Sequence, residues 1–533
     1  MRGSKWVLTA LMLVAGLAPG LRGQEWGFEQ ARHLLARAGF GGPPEEVERL
    51  VELGRRRAVD ALLEADGMAV TEACPVFEVE SLGRPPRREL MGLGEDERRK
   101  KVQALRRRDR AQSLRFRNWW IERMINTEAP LTEKMTLFWH GHFTSSMRDV
   151  RNSYNMVMQN DLLREHALGN FGKLLHAVSK DPAMLRYLDN NRNRKGKPNE
   201  NFAREVMELF TLGLGNYTER DIKEAARAFT GWTFRGDEFV FLRRRHDDGV
   251  KVILGRKGNF DGDDVLDILL EQEAAYRHIA SRLIAWFVGP EAPAGMVDDY
   301  AGKLKRSGWE IKPVLRDLFN DPRFYAPEVM GSRILSPVEY LVGICRRLGT
   351  HPPGGFLAAG ADMLGQSLLA PPNVKGWEGG EAWITTSTLI ARGNLAGYLV
   401  EGFDPRRITR DFAGPAVQDE EGRMMDRKAR MAGARKALRA MFRGSGDRKA
   451  LRWRPDVGIR RLPEVRNVAS AVELVDRLCR RLLLVPVTAE ARRSLITFIE
   501  EESRDGDGFR LPSEPKLKRL ARLILSLPEA QIG

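Results

Sequence analysis

Apolar residues recur at three- and four-residue spacing between recognisable caps along most of this 533-residue chain. That period belongs to helices packed on a core, not to strands. The sequence therefore predicts a mainly α fold, a large multi-helix globular body with one small β-hairpin. Ser336, Pro337 and Glu339 make a capping box with proline at the first helical position, and Gly349 stops the helix after Leu348. Thr218 and Asp221 start another helix in the same way, through Ala225, Ala226 and Phe229. The hairpin is expected from residues 239–242 and 250–254, β-rich runs separated by the turn formers His246, Asp247, Asp248 and Gly249. With 42% hydrophobic and 30% charged residues, the chain can bury a sizeable core, which excludes disorder as its main state.

Arg2 and Lys5 precede an apolar run over residues 6–18, which the small and helix-breaking residues Pro19, Gly20, Leu21, Arg22 and Gly23 follow. This is the pattern of a signal peptide for the general secretory route, with the mature protein beginning near Gln24 and destined for the periplasm or the exterior. No paired arginine precedes the run, so the twin-arginine route is not indicated. Left uncleaved, the same run is an N-terminal anchor. It is shorter than the roughly 20 residues a spanning helix needs, and no other stretch approaches that length, so multi-span insertion is excluded. Three cysteines cannot form a disulfide framework. Cys345 and Cys479 fall on apolar helical stripes and read as buried thiols, whereas Cys74, before Pro75 in a loop, is the one open to reaction.

The formal charge is 87 − 72 = +15, and +12 remains without Arg2, Lys5 and Arg22. Residues 404–461 hold 17 basic and 8 acidic side chains, so +9 of that charge sits in one segment. The expected organisation is a signal peptide at 1–23, a helical family domain at 24–400, a basic linker or surface arm at 401–465, and a C-terminal helical segment at 466–533. Met431, Leu438, Met441 and Phe442 give the arm an apolar side, which suits either a solvated arm or contact with an anionic envelope polymer or membrane. The export signal and the lack of an aromatic-interleaved basic motif argue against nucleic acid. Residues 98–117 read as an exposed basic helix that enters the core through Trp119, Trp120, Ile121 and Met124.

Two segments carry most of the chemistry. In the first, His140-Gly141-His142 closes a helix rich in Phe and Trp. Histidines two apart face opposite sides of a continuous helix, about 200° apart, and converge only where it unwinds. His140 and His142 can supply metal ligands through neutral nitrogens if others arrive from elsewhere; packing and helix C-capping are the plain alternative. In the second, a helix over 199–211 places Asn201, Arg204, Glu205 and Glu208 opposite its apolar arc. Glu205 and Glu208 then share a face, as a metal ligand and a general base would, with Asn201 able to orient them. A solvated face with Arg204 near Glu208 is the plain reading.

The blocks KMTLFWHGHFTSS, PNENFAREVMELFTLGLGNYTERD, HDDG, GNFDGDDV, PPNVKGW and AWITTSTL, in that order, resemble the bacterial family called domain of unknown function 1800. The resemblance runs from about Ala31 to Leu399 and implies an exported, mainly helical bacterial protein without implying a reaction. It also implies a neighbourhood, since genes of this family often lie beside those of exported sulfatase-like or phosphatase-like proteins, the candidate partners. His140, His142, Asn201, Glu205, Glu208, His246 and Asp247 all fall within its blocks. For His246 and Asp247 a turn role is expected. Asn259, Asp261, Asp263 and Asp264 suggest a calcium loop, but Leu266 stands where that loop needs Gly and Gln272 where it needs Glu. Asp263 or Asp264 is expected as a helix N-cap instead.

No nucleophile elbow, His-Glu-X-X-His, phosphate loop or dinucleotide fingerprint occurs. Ser145 and Ser146 lie near His142 in sequence, but sequence neighbours are rarely triad partners. Asn373, Trp377 and Trp383 suit a sugar-stacking or partner-binding surface, while Pro371, Pro372 and Gly376 suit a rigid turn with its Trp packed inward. Two function classes follow. One is a metal-assisted hydrolase outside the cytoplasm, with His140, His142 and Glu205 holding a divalent metal and Glu208 as general base. The other is a non-catalytic scaffold or binding protein that uses the basic arm and the Trp-containing loop to hold a partner enzyme or an envelope polysaccharide; the candidate binding residues are Asn201, Asn373 and Trp377.

Overall fold

The computed structural model describes residues 25–65, 90–403, 453–455, 458–505 and 508–533. The expected signal peptide, Cys74 and most of the basic arm, with Met431, Leu438, Met441 and Phe442, lie outside them. Helices dominate, as the spacing predicts, and they pack around two apolar cores. Helices Phe28–Ala38 and Pro130–His142 lie between the two. Leu34, Leu35, Met135, Phe138 and Trp139 belong to the first core, while Ala36 and Leu137 belong to the second.

Helix Glu95–Asn126 opens on Glu95, Asp96 and Glu97, whose charges complement the positive end of the helix dipole. Its arginine-rich outer half stays exposed, and Phe116, Trp119, Trp120, Ile121 and Met124 enter the second core as expected. Helix Pro337–Leu348 carries the expected capping box at Ser336 and Glu339 and ends at left-handed Gly349. The box at Thr218 and Asp221 is also formed. Helices Ala471–Leu482 and Glu514–Ser526 bring Leu474, Leu478, Leu517 and Leu520 into the second core, so the C-terminal segment shares its interior with the body. Cys345 and Cys479 are buried and free, and burial raises both thiols, that of Cys479 to about 12.

The strands pair differently from the expected hairpin. Glu238–Phe241 turns back on the preceding Trp232–Arg235, with Trp232 opposite Phe241, and Lys251–Ile253 pairs with the following Arg256–Gly258. Each connection is a two-residue turn, the length that hairpins favour, whereas joining the two expected runs needs a longer loop to close. A further pair joins Arg504–Asp505 to Gly508–Phe509. The loop at 246–249 instead latches onto helix Glu219–Ala228. Asp247 accepts Arg227 Nε at 2.9 Å and Nη2 at 3.1 Å, and Gly249 N–H at 2.9 Å. Arg227 is the main reason that the Asp247 carboxyl falls to about 2. His246 is buried and donates from Nδ1 to the Thr230 carbonyl at 3.0 Å.

The N-cap of helix Gly262–Leu270 is Asp261, neither Asp263 nor Asp264. Asp264 closes the box from the third position, and Asp263 is left to accept from His176 and Lys180. The register moved because a capping box needs its acid three residues after the cap, which Asp261 and Asp264 satisfy.

Glu133 joins three helices at one buried carboxylate. Its oxygens accept Trp120 Nε1–H at 2.9 Å and Arg164 Nε–H at 2.8 Å, and also the Arg123 guanidinium. Removing it takes the carboxylate from the nearly buried Arg123 and leaves Arg164 with Asp161 at 2.8 Å. Glu133→Ala is expected to cost about 3–5 kcal/mol in urea unfolding; a loss under about 1 kcal/mol would show that the carboxylate does not hold the cations.

Candidate functional site

Helix Pro130–His142 ends in His140-Gly141-His142, and the two rings leave in opposite directions. His140 is buried between the rings of Trp120 and Trp377, at centroid distances of 5.5 and 5.6 Å, and its Nε2 accepts the Leu369 N–H at 3.1 Å. The proton of this neutral imidazole therefore sits on Nδ1. Leu369 has φ +60°, a left-handed conformation that costs a non-glycine residue about 1–2 kcal/mol, so His140 holds a strained residue in place. Beyond Leu369 the chain forms the turn that carries Lys375 and Trp377.

His142 does the reverse. Its Nε2 donates to the Phe210 carbonyl at 3.1 Å, and His278, 6.0 Å away between ring centroids, donates from Nε2 to the Leu209 carbonyl at 2.9 Å. These carbonyls end a segment that departs from the expected regular helix. After Glu200–Glu205 the chain widens into a π turn over Val206–Leu212, where Thr211 Oγ1 donates to the Val206 carbonyl five residues back at 2.6 Å. Such turns persist where side chains meet the backbone groups that a regular helix would pair.

The expected metal set is thus not assembled. Both Nε2 atoms of His140 and His142 are engaged by backbone groups, and among the described residues no three His, Cys, Asp or Glu side chains are grouped to hold a metal ion. No step through a metal is derived from these residues. Ser145 Oγ accepts Gln159 Nε2–H at 3.0 Å and Ser146 caps the next helix, so neither pairs with His142.

Glu205 and Glu208 are both half-buried. Burial raises the Glu205 carboxyl and Glu208 raises it further, while Arg204 and Lys375 oppose. Glu208 accepts the Tyr217 hydroxyl, and Arg204 turns to Glu219 at 2.8 Å rather than to Glu208. Tyr187 is pushed up to about 12, by burial first and then by Asp149 and Glu205. Asn201 orients neither glutamate: its Nδ2 donates to the Leu188 carbonyl at 3.2 Å and ties the helix to the loop before it.

The turn at 371–377 closes over the same region. Asn373 Oδ1 accepts the Lys375 N–H at 2.9 Å, so this side chain builds the turn. Thr144 donates to the Val374 carbonyl, and Gly376, at φ +82°, approaches so closely that a Cβ there would lie 2.5 Å from the Gly141 carbonyl. Trp377 is half-buried, with its Nε1 buried and lacking a partner among the described residues. Trp383 is buried. The arrangement is a half-buried aromatic ring and a lysine beside a carboxylate pair, all on a backbone clamped by buried imidazoles. Lys375, Tyr187 and Tyr217 carry no periodic signal, and only contact across the fold reveals them.

Residues 33–532 match the family described as Protein of unknown function (DUF1800). The chain belongs to that family. No curated protein and no solved structure matches it. The DUF1800 match includes the C-terminal helices as well as the blocks around His140 and Glu205, in keeping with the interior they share. Among the described residues no helix is long and apolar enough to cross a membrane.

Burial lowers the pKa of His33, His140, His142 and His278, His140 to about 4. Unfolding frees all four to take up protons below their ordinary value near 6.5, so stability falls as pH falls through the window from about 6.5 to 4. Each contributes up to about 1.4 kcal/mol per pH unit. His176, clasped by Asp263 at 2.9 Å and Asp267 at 2.9 Å, is raised, and burial raises the Asp181 carboxyl to about 7; both work in the opposite sense, but the four histidines outnumber them. The net expectation is a lower urea midpoint at pH 5 than at pH 7, and equal midpoints would contradict the neutral buried rings.

Proposed function

We propose that this DUF1800 protein is an exported binding protein for an envelope polysaccharide, gripping it at the face formed by Glu205, Glu208, Lys375 and Trp377. The observation that carries the reading is the use of the His-Gly-His turn. Both imidazoles hold backbone, and what they hold in place is a half-buried tryptophan on the turn whose Lys375 acts on Glu205. A sugar ring stacks its C–H face on an indole, and its hydroxyls donate to carboxylates and accept from an ammonium. In the binding role expected for Asn201 and Asn373, these residues shape the face rather than touch the chain.

The hydrolase reading keeps one supporting observation, the raised Glu205 carboxyl beside Glu208. A raised carboxyl beside a second carboxylate suits acid and base roles, Glu205 as the acid and Glu208 as the base, on the same polymer and without a metal. The binding reading rests on more of the geometry, because it uses the lysine and the tryptophan as well.

Affinity electrophoresis of the mature chain through gels containing hydroxyethylcellulose, xylan or alginate tests both. At least one polymer is expected to retard the protein, and Trp377→Ala to weaken that retardation about tenfold, or about 1.4 kcal/mol, with helical circular dichroism unchanged. Retardation by none of the three, or equal retardation of the variant, would remove the binding reading. Release of reducing ends by the parent, lost in Glu208→Gln, would establish hydrolysis instead.

A further inference from the structure

The seam between the two cores gathers three cations around one buried carboxylate, two of them buried and Arg333 partly so. Lys134 and Glu339 are paired with side-chain exposures of 0% and 1%, and Arg333 reaches the same Oε1 of Glu339. The other oxygen, Oε2, accepts the Ser336 N–H of the capping box at 2.9 Å. Both oxygens are therefore engaged before Arg37 is considered. Arg37 is buried among them, close enough to be acted on by Arg333 and Glu339, and among the described residues its only hydrogen bond runs from Nη2 to the Val329 carbonyl at 3.0 Å.

Charge and hydrogen bonding are both left unbalanced. Arg37, Arg333 and Lys134 against Glu339 amount to 3 − 1 = +2, and a neutral Lys134 would still leave +1, because guanidinium holds its proton. Arg37 Nε and Nη1 and Arg333 Nε are buried donors with no acceptor among the described residues, as is Nε1 of Trp286, whose ring lies against Lys134 and Arg333. Unmet buried donors cost about 1–3 kcal/mol each, more when charged. Water could satisfy the donors, but it cannot neutralise the charge.

There is also room. Gly289 adopts φ +107°, and a Cβ built on it would lie 3.5 Å from Ser332 Oγ and 3.7 Å from Arg37 Nη1, ordinary contact distances. A methyl-sized space therefore opens beside a free guanidinium N–H. We propose that the seam holds a small monovalent anion of halide size, bound by Arg37 and Arg333 and bordered by Gly289 and Ser332. Such an ion supplies the missing acceptor and the missing negative charge together, at the point where both cores meet.

Bromide is the probe. The melting temperature of the mature protein is expected to rise by about 2 °C or more, and to saturate, as sodium bromide replaces sodium gluconate at constant ionic strength. Arg37→Met is expected to abolish that dependence. Should Arg37→Met fail to fold, anomalous diffraction from bromide-soaked crystals of the parent decides the matter, with a peak within bonding distance of Arg37 Nη1 and Arg333 Nε supporting the site. A melting temperature indifferent to bromide, or a site without anomalous density, would overturn the proposal.

Discussion

The buried contact between Lys134 and Glu339 sets where the two halves of this protein meet. A charged pair cannot slide in a dry interior, because any other register would leave each ion without its partner at a cost of several kcal/mol. Lys134 also donates to the Gly39 carbonyl at 2.8 Å, which ties the end of helix Phe28–Ala38 into the same point. Three elements are thereby held in one register, and the cores on either side close around them. A hydrophobic contact of similar area would attract equally but would not select a single register.

That register carries through to the functional face. His140 and His142 follow Lys134 on the same rigid helix, so their imidazoles arrive at set positions and meet backbone groups on opposite sides. The two rings use opposite tautomers for this: one accepts an N–H from a strained residue, and the other donates to a carbonyl freed by a π turn. Gly141 lies between them where the turn at 371–377 comes down, and a side chain on the facing Gly376 would strike its carbonyl. The motif is therefore a two-sided clamp. Its chemistry lies in what it positions, since neutral buried imidazoles make poor solvent-facing acids or bases but reliable hydrogen-bonding posts.

The face so positioned is small and mixed in character. Glu205 and Glu208 come from the start of the widened turn, Tyr217 from the loop after it, and Lys375 and Trp377 from a turn far along the chain. Half-burial keeps the carboxylates within reach of one another and of Lys375, and it leaves the indole with a polar edge that no described residue satisfies. A hydroxyl-rich ligand matches that combination better than a bare metal ion, which needs several ligand atoms at close range around one point.

Local physics was legible in the sequence. The capping boxes at Ser336 and Thr218, the arrest at Gly349, the burial of Cys345 and Cys479, and the common face of Glu205 and Glu208 each depend on residues within a few positions of one another, and the folded chain forms them as the sequence predicts. Contacts with distant partners carry no such local signal. The run at 239–242 pairs with its neighbour Trp232–Arg235 rather than with the run at 250–254 because loop entropy favours the tighter turn, and His140 Nε2 meets the Leu369 N–H from far along the chain. By itself the sequence determined a mainly α chain of the DUF1800 family with its helix ends marked. Only the tertiary structure decided which buried nitrogen meets which backbone group, because a side chain's hydrogen-bond partner and the charge around it are set by elements that become neighbours only on folding.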